Sequence, residues 1–244
     1  MIPKVIHYCW FGDNPLPKLA KKCIESWKKY LPDYEIKRWD ETNFDVNIIP
    51  YTQEAYQKGK YAFVSDYARF WIIYNYGGIY FDTDVEVIAP LDGIISEGAF
   101  LGVECHNLDQ ITVNPGLGFG AEPHMKAIGD ILKQYKQFHF INNDGSICYK
   151  NIVEITSEYL TLQGLENTDK CQKCAGFMIY PIDYFCPISF DTRRLIITEN
   201  TRTIHHFAES WVPRSTRIKN KIGHVLGRGT LQLLVKLKRM FRRS

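Results

Sequence analysis

Asp82 and Asp84 stand one residue apart in GGIYFDTDVEV (77–87), directly after an apolar, β-branched and aromatic run. Carboxylates beside a core are costly, and a close pair repels unless a cation or solvent takes up the charge. From this spacing alone, a bound divalent metal and a solvated acidic turn both answer the need. Upstream, Asp66 and Arg69 are the charged residues of YAFVSDYARFWIIYNY (61–76), and residues three apart share a helix face. That spacing fits an intrahelical ion pair, and it also fits a guanidinium aimed at a phosphate with an acid to orient it. Near the other end, RTIHHFAESW (202–211) gathers His205, His206, Glu209, Ser210 and Trp211. The cluster combines metal-ligating, phosphate-donor and stacking groups, although adjacent strand histidines point to opposite faces and at most one readily serves a given site.

A hard Mg²⁺ or Mn²⁺ ion takes oxygen ligands and keeps places for water and substrate phosphates, so one or two protein carboxylates suffice. Such an ion clamps a diphosphate and neutralises the charge that builds as it leaves. Other spacings carry less. Gly116, Gly118 and Gly120 do not match a dinucleotide fingerprint and read either as a floor that lets a ligand approach the backbone or as a plain turn. Cys171 and Cys174 form a single CxxC with no second pair, which leaves half a zinc site, a redox pair or coincidence.

The elements that must position these groups follow from periodicity. Residues 2–9 read as a buried first strand that ends in the Trp10-Phe11-Gly12-Asp13 loop. Leu16, Leu19, Ala20, Cys23, Ile24, Trp27 and Leu31 recur at helical spacing up to Pro32, and YEIKRWD then alternates as a second strand, giving a β-α-β opening. A helix over 61–76 stops at Gly77-Gly78, and Ile79 to Phe81 form a short buried strand. The aspartate pair therefore falls just past a strand's carboxyl end, where open α/β sheets gather ligands. AFLGVE and FMIYPI read as strands, and NPGLGFGAEPHM reads as a Gly/Pro-rich loop leading into a helix over 124–138.

The 244 residues, 45% hydrophobic and 14% aromatic, suffice for a sizeable core. No run approaches the roughly 20 apolar residues that span a bilayer, no charged-then-apolar leader opens the chain, and seven scattered cysteines argue against a disulfide framework; a cytoplasmic protein is expected. Residues 214–244 hold ten Lys or Arg and no Asp or Glu, leaving 20 basic against 27 acidic residues in 1–213.

The segment FVSDYARFWIIYNYGGIYFDTDVEV resembles the core of the glycosyltransferase 32 group of DXD-containing sugar transferases, which includes capsular-polysaccharide glycosyltransferases, and it is similar to the glucosylating domain of large clostridial toxins. The opening IPKVIHYCWFG and the closing HHFAESW match the same group. The resemblance implies a single α/β domain over 1–213 with a GT-A, Rossmann-like fold, a retaining hexosyl transfer, and a nucleotide-sugar donor, UDP-hexose or GDP-mannose, over the strand ends. It also implies roles. Trp10 would stack on the base. Ser65, Asp66 and Arg69 would hold ribose, sugar hydroxyls and phosphate, with Tyr80 lining the pocket. Asp82 and Asp84 would bind Mn²⁺ or Mg²⁺ and the diphosphate, with His206 or its neighbour His205, or Glu209, completing the metal shell. Ser210 and Trp211 would close over the β-phosphate.

The acceptor implied is a glycan or glycolipid, such as a lipid-linked surface or capsular intermediate. A toxin-like transfer to a protein hydroxyl and a catalytically silent glycan-binding module are the alternatives; the latter is disfavoured because Arg69 and Asp84 are present. A glycosidase is disfavoured because no pair of carboxylates with acid and base duties is evident. In 214–244, Leu226, Leu233, Leu234, Leu237, Met240 and Phe241 share a helical arc opposite Lys236, Arg239, Arg242 and Arg243. A basic amphipathic helix of this kind suits an anionic membrane surface, here the inner face of the plasma membrane. Nucleic acid is not expected, because stacking aromatics are missing from that tail.

Overall fold

The computed structural model describes residues 1–106, 110–188 and 194–208. The chain runs β1 (Val5–Cys9), α1 (Lys18–Tyr30), β2 (Glu35–Trp39), α2 (Pro50–Gln57), α3 (Tyr61–Tyr76), β3 (Gly78–Tyr80), β4 (Val85–Val87), α4 (Asp92–Ser96), β5 (Phe100–His106), β6 (Ile111–Val113), β7 (Phe119–Ala121), α5 (Lys126–Tyr135), α6 (Ile152–Leu162), β8 (Gln172–Cys174), β9 (Phe177–Tyr180), α7 (Ile182–Phe185) and β10 (Thr203–His205). A single turn of 3-10 helix, Pro115–Leu117, precedes β7. The main sheet has the order β2-β1-β3-β7-β5-β9-β8, with β6 paired to β5. Strand β1 is parallel to both β2 and β3, and β5 is parallel to β9, whereas β7 runs antiparallel between β3 and β5. The architecture is mixed α/β, as the sequence implies.

The expected β-α-β opening is present, and so is the helix over 61–76. Strand side chains alternate between two apolar cores, one on each face of the sheet. Ile6, Tyr8, Ile79 and Phe81 join Trp27 of α1 and Phe185 of α7. Cys9 and Tyr80 point the other way, toward Phe70, Ile73, Ile128 and Ile155 of α3, α5 and α6. This parity puts the Tyr80 side chain on the same side as the helix that carries Asp66 and Arg69.

One expectation is corrected. The Gly/Pro-rich segment does not remain a loop, because Phe119–Ala121 enters the middle of the sheet as β7. Its glycines hide the alternation that marks a strand. Gly78, which follows the Gly77 cap of the helix and opens β3, has φ +102°, and a Cβ there would lie 2.6 Å from the Val5 carbonyl oxygen, so the tight helix-to-strand passage needs a residue without a side chain.

His7 locks this passage from the neighbouring strand. The Trp39 indole N–H can only donate, and it reaches His7 Nδ1 at 3.0 Å. Nδ1 is therefore the acceptor, and the Nε2–H donates to the Gly77 carbonyl at 3.0 Å. Burial holds this imidazole neutral, its pKa lowered to about 4.

Candidate metal and diphosphate site

Past Tyr80 the chain leaves the sheet in a turn fixed on every side. The Phe81 N–H donates to the His7 carbonyl, the Asp82 N–H to the Gly116 carbonyl, and the Val85 N–H back to the Asp82 carbonyl. The Trp27 indole N–H donates to the Val85 carbonyl at 2.7 Å, which pins the start of β4 to α1. Asp82 and Asp84 thus sit on a short rigid span between two anchored strands.

Asp82 is gripped from α3. Arg69 Nη1 and Nη2 reach its two oxygens at 3.2 and 3.1 Å, the Tyr80 hydroxyl donates to Oδ1 at 3.1 Å, and the guanidinium lies 4.9 Å over the Tyr80 ring. Arg69 Nη2 also meets Asp66 Oδ1 at 3.0 Å, and its Nε donates to the Ser65 carbonyl at 3.2 Å. Burial alone would disfavour the charge on Arg69, but Asp82, Tyr80 and Asp66 hold it firmly protonated. The intrahelical ion pair and the ligand-facing reading are therefore not exclusive, because Arg69 pairs with Asp66 while bridging to the aspartate turn.

Asp66 lies deeper. Burial pushes its carboxyl up to about 6, against the pull of Arg69. Its Oδ2 accepts the Ile152 N–H at 3.2 Å, so it ties α3 to the N-terminus of α6, 86 residues away. The Ser65 hydroxyl turns back to the Tyr61 carbonyl at 3.1 Å. Cys9, beneath the same cluster, is kept a thiol by burial, which pushes its pKa up to about 12.

Asp84 meets the last described strand. β10 pairs antiparallel with β4 in a separate two-stranded sheet, with His205 opposite Val85. His205 Nε2 lies 3.3 Å from Asp84 Oδ1, the Ala208 N–H donates to Oδ2 at 2.8 Å, and the His206 N–H donates to the Asp84 carbonyl at 3.0 Å. Burial opposes ionisation of Asp84, but the charge and hydrogen bond of His205 and the Ala208 N–H hold its carboxyl well below the usual range. Conversely, Asp84 raises His205 to about 9 against its burial. Ligand atoms of Asp82, Asp84 and His205 all lie within 4.8 Å of one another. Two carboxylates and an imidazole make a donor set suited to a divalent cation such as Mn²⁺ or Mg²⁺. The His205 Nδ1 is buried without a hydrogen-bond partner among the described residues, and the ring packs edge-on against Phe207.

Of the two histidines named from the sequence, the structure brings His205 to the aspartates and turns His206 away. Thr203 and His205 share the inward face of β10, where the Thr203 hydroxyl meets the Phe185 carbonyl at 3.1 Å. His206 Nε2 contacts Glu86 at 2.8 Å, and Glu86 also pairs with Lys22 of α1. Metal ligation by His206 is therefore corrected on strand parity. Glu209, Ser210 and Trp211, and the basic tail over 214–244, lie outside the described residues. Trp10 follows β1 with its indole N–H on the Asn14 carbonyl at 2.7 Å, and lines a small cleft with Pro17, Leu19, Thr83, Asp84 and Ala208. A larger groove on the far side of α3, lined by Tyr67, Trp71, Tyr74 and Lys136, holds no carboxylate or imidazole.

Sequence reasoning treated the 115–118 segment only as a possible floor; it contributes Gly116. A Cβ there would collide with Asp82 Oδ2 and lie 2.9 Å from Arg69 Nη1. The signal was the Asn-Pro-Gly turn. The Asn114 side chain accepts the Gly116 N–H at 2.6 Å and sets the 3-10 turn that presents the bare backbone.

The Asp-x-Asp turn, the bridging arginine and the returning histidine thus stand together beside an α/β sheet. Residues 17–101 match the family model described as the glycosyltransferase sugar-binding region containing a DXD motif. The chain is 30% identical over 111 residues to inositol phosphoceramide mannosyltransferase 1 of Schizosaccharomyces pombe, a match that covers 41% of this chain and 33% of that relative. It thus spans about a third of the length of the yeast relatives it matches. An uncharacterized glycosyltransferase, L373, of Acanthamoeba polyphaga mimivirus is 26% identical over 230 residues, covering 80% of this chain and 91% of that one. Among solved structures, a glycosyltransferase involved in glycosylation of the major capsid of PBCV-1 superimposes with a TM-score of 0.52 at 12% identity, over 89% of this chain and 98% of that chain, which speaks to the fold.

Proposed function

We propose that this protein transfers a hexose, with retention, from a nucleoside diphosphate sugar to a hydroxyl of a glycan or glycolipid. The observation that carries the reading is the convergence of Asp82, Asp84 and His205 within ligand distance beside the buried guanidinium of Arg69. Asp82, Asp84 and His205 would hold Mn²⁺ or Mg²⁺. When bound, that ion supplies Lewis-acid neutralisation of the charge on a departing diphosphate.

The remaining work falls to side chains already in place. Arg69, locked by Asp66, Asp82 and the Ser65 carbonyl, keeps a fixed positive charge in a site of low dielectric, where it is worth far more than in water. Tyr80 orients Asp82 through its hydroxyl. Gly116, bare of a side chain, leaves room for the Asp82 carboxylate beside Arg69. Trp10, on the Asp84 side of the cleft, offers an aromatic face to the nucleobase. A lipid-linked acceptor is supported by the names of the yeast relatives, which act on inositol phosphoceramide. The basic, amphipathic sequence of 214–244 supports work at the cytoplasmic face of an anionic membrane.

The test is a screen of UDP-hexoses and GDP-mannose for Mn²⁺-dependent release of the nucleoside diphosphate. At least one donor is expected to turn over, and turnover is expected to vanish in chelator and in Asp84→Asn. Full activity of that variant in chelator would refute the reading.

A further inference from the structure

Strand β5 is irregular where it pairs with β6. Val103 opposes Val113 and Cys105 opposes Thr112, so Glu104 is the extra residue of a bulge. Bulges re-aim a side chain and recur beside active sites. Here the re-aimed carboxylate accepts the Asn114 side-chain amide at 3.0 Å. Asn114 is buried, and its other end accepts the Gly116 N–H at 2.6 Å, directly under the Asp82 carboxylate. Glu104 is thus linked to the aspartate turn through these two hydrogen bonds and a third, from the Asp82 N–H to the Gly116 carbonyl.

From these contacts we infer that Glu104 receives hydroxyl groups of the donor hexose and helps select which sugar the site accepts, an assignment that rests on the transferase reading above. Holding Asn114 does not require a charge, since a neutral amide oxygen would accept the same bond. Among the described residues no cation pairs with Glu104. An ionised carboxylate offers about four acceptor positions, and Asn114 fills one. Glu104 is not one of the three side chains whose ligand atoms cluster for a metal. Sugar hydroxyls are the donors that fit, because a diphosphate offers only acceptors. A site built to receive a hydroxyl discriminates strongly against a sugar that lacks it.

The experiment compares Glu104→Gln and Glu104→Asp with the parent protein in Mn²⁺. UDP and GDP affinities are measured by calorimetry, and KM by diphosphate release from UDP-glucose, UDP-galactose, GDP-mannose and their singly deoxygenated analogues. Both variants are expected to bind the nucleoside diphosphate within about twofold of the parent and to show a KM raised about tenfold or more for the preferred donor. On the analogue lacking the contacted hydroxyl, parent and variants should converge. An unchanged KM for the intact donor, or a parallel loss of nucleoside diphosphate affinity, would overturn the assignment. If the parent protein binds nucleoside diphosphate and turns over no nucleotide sugar, the transferase reading itself falls and the assignment with it.

Discussion

Arg69 meets Asp82 fork to fork, Nη1 on Oδ2 and Nη2 on Oδ1, across the gap between α3 and the turn after β3. The arginine side chain is only 5% exposed, and Asp66 shares the same nitrogen. Lysine cannot reproduce two parallel bonds to one carboxylate while touching a second. Arg69→Lys is expected to lower turnover by about a hundredfold or more, by removing a fixed donor from the site. Arg69→Ala leaves the buried Asp66 and the partly buried Asp82 without their shared cation and should cost about 3–5 kcal/mol of stability. Steady-state kinetics and urea denaturation of the two variants check these outcomes; an Arg69→Lys enzyme of parental rate would contradict the first.

The two adjacent histidines should behave unlike each other. His205→Ala removes a group within ligand distance of both aspartates. It is expected to weaken Mn²⁺ binding by about one to two orders of magnitude and to flatten the rise in melting temperature that the bound ion produces by mass action. His206→Ala breaks a partly exposed pair with Glu86 and should leave both readouts nearly unchanged. Calorimetric titration of Mn²⁺ into each variant distinguishes them.

At Gly116 a single methyl group is enough to disturb the site. The added carbon collides with the Asp82 carboxylate and presses on Arg69. Something there must shift, and both neighbours are held by several bonds. Gly116→Ala is expected to cost about 1–3 kcal/mol in the urea midpoint and at least tenfold in turnover. A variant with parental kinetics would mean that the turn yields more freely than its bonding implies.

Acid should loosen the helix-to-strand passage through His7. Its pKa is lowered on folding from 6.5 to about 4, so the stability it contributes is complete above about pH 6.5 and is lost as the pH falls through about 4. Protonating Nδ1 removes the acceptor for the Trp39 indole. The loss is on the order of 3 kcal/mol once both forms are protonated. Urea midpoints between pH 7 and pH 4 should fall more steeply for the parent protein than for His7→Gln.

What the sequence made legible divides along physical lines. The helices over 18–30 and 61–76 and strands β1 and β3 follow from periodicity and from punctuation by Pro32 and Gly77-Gly78. Strand β7 does not, because Gly118 and Gly120 carry no pattern and its partners on either side settle its conformation. The Asp66 bond to Ile152 spans 86 positions and leaves no local trace. Between His205 and His206, alternation requires a choice but does not make it. The antiparallel register of β10 on β4, together with the inward Thr203, decides. The bulge that re-aims Glu104 arises from a pairing between strands and is invisible in either strand alone.

Strand β10 lies apart from the main sheet and, among the described residues, pairs only with β4. During synthesis the principal sheet has all its described strands once residue 180 has emerged from the ribosome, while the imidazole that approaches Asp84 comes 25 positions later. A premature stop anywhere in that interval would leave the Asp84 carboxylate without the His205 imidazole and the Ala208 N–H that meet it. The ion-binding set proposed above would thus be completed late, by a strand outside the main sheet.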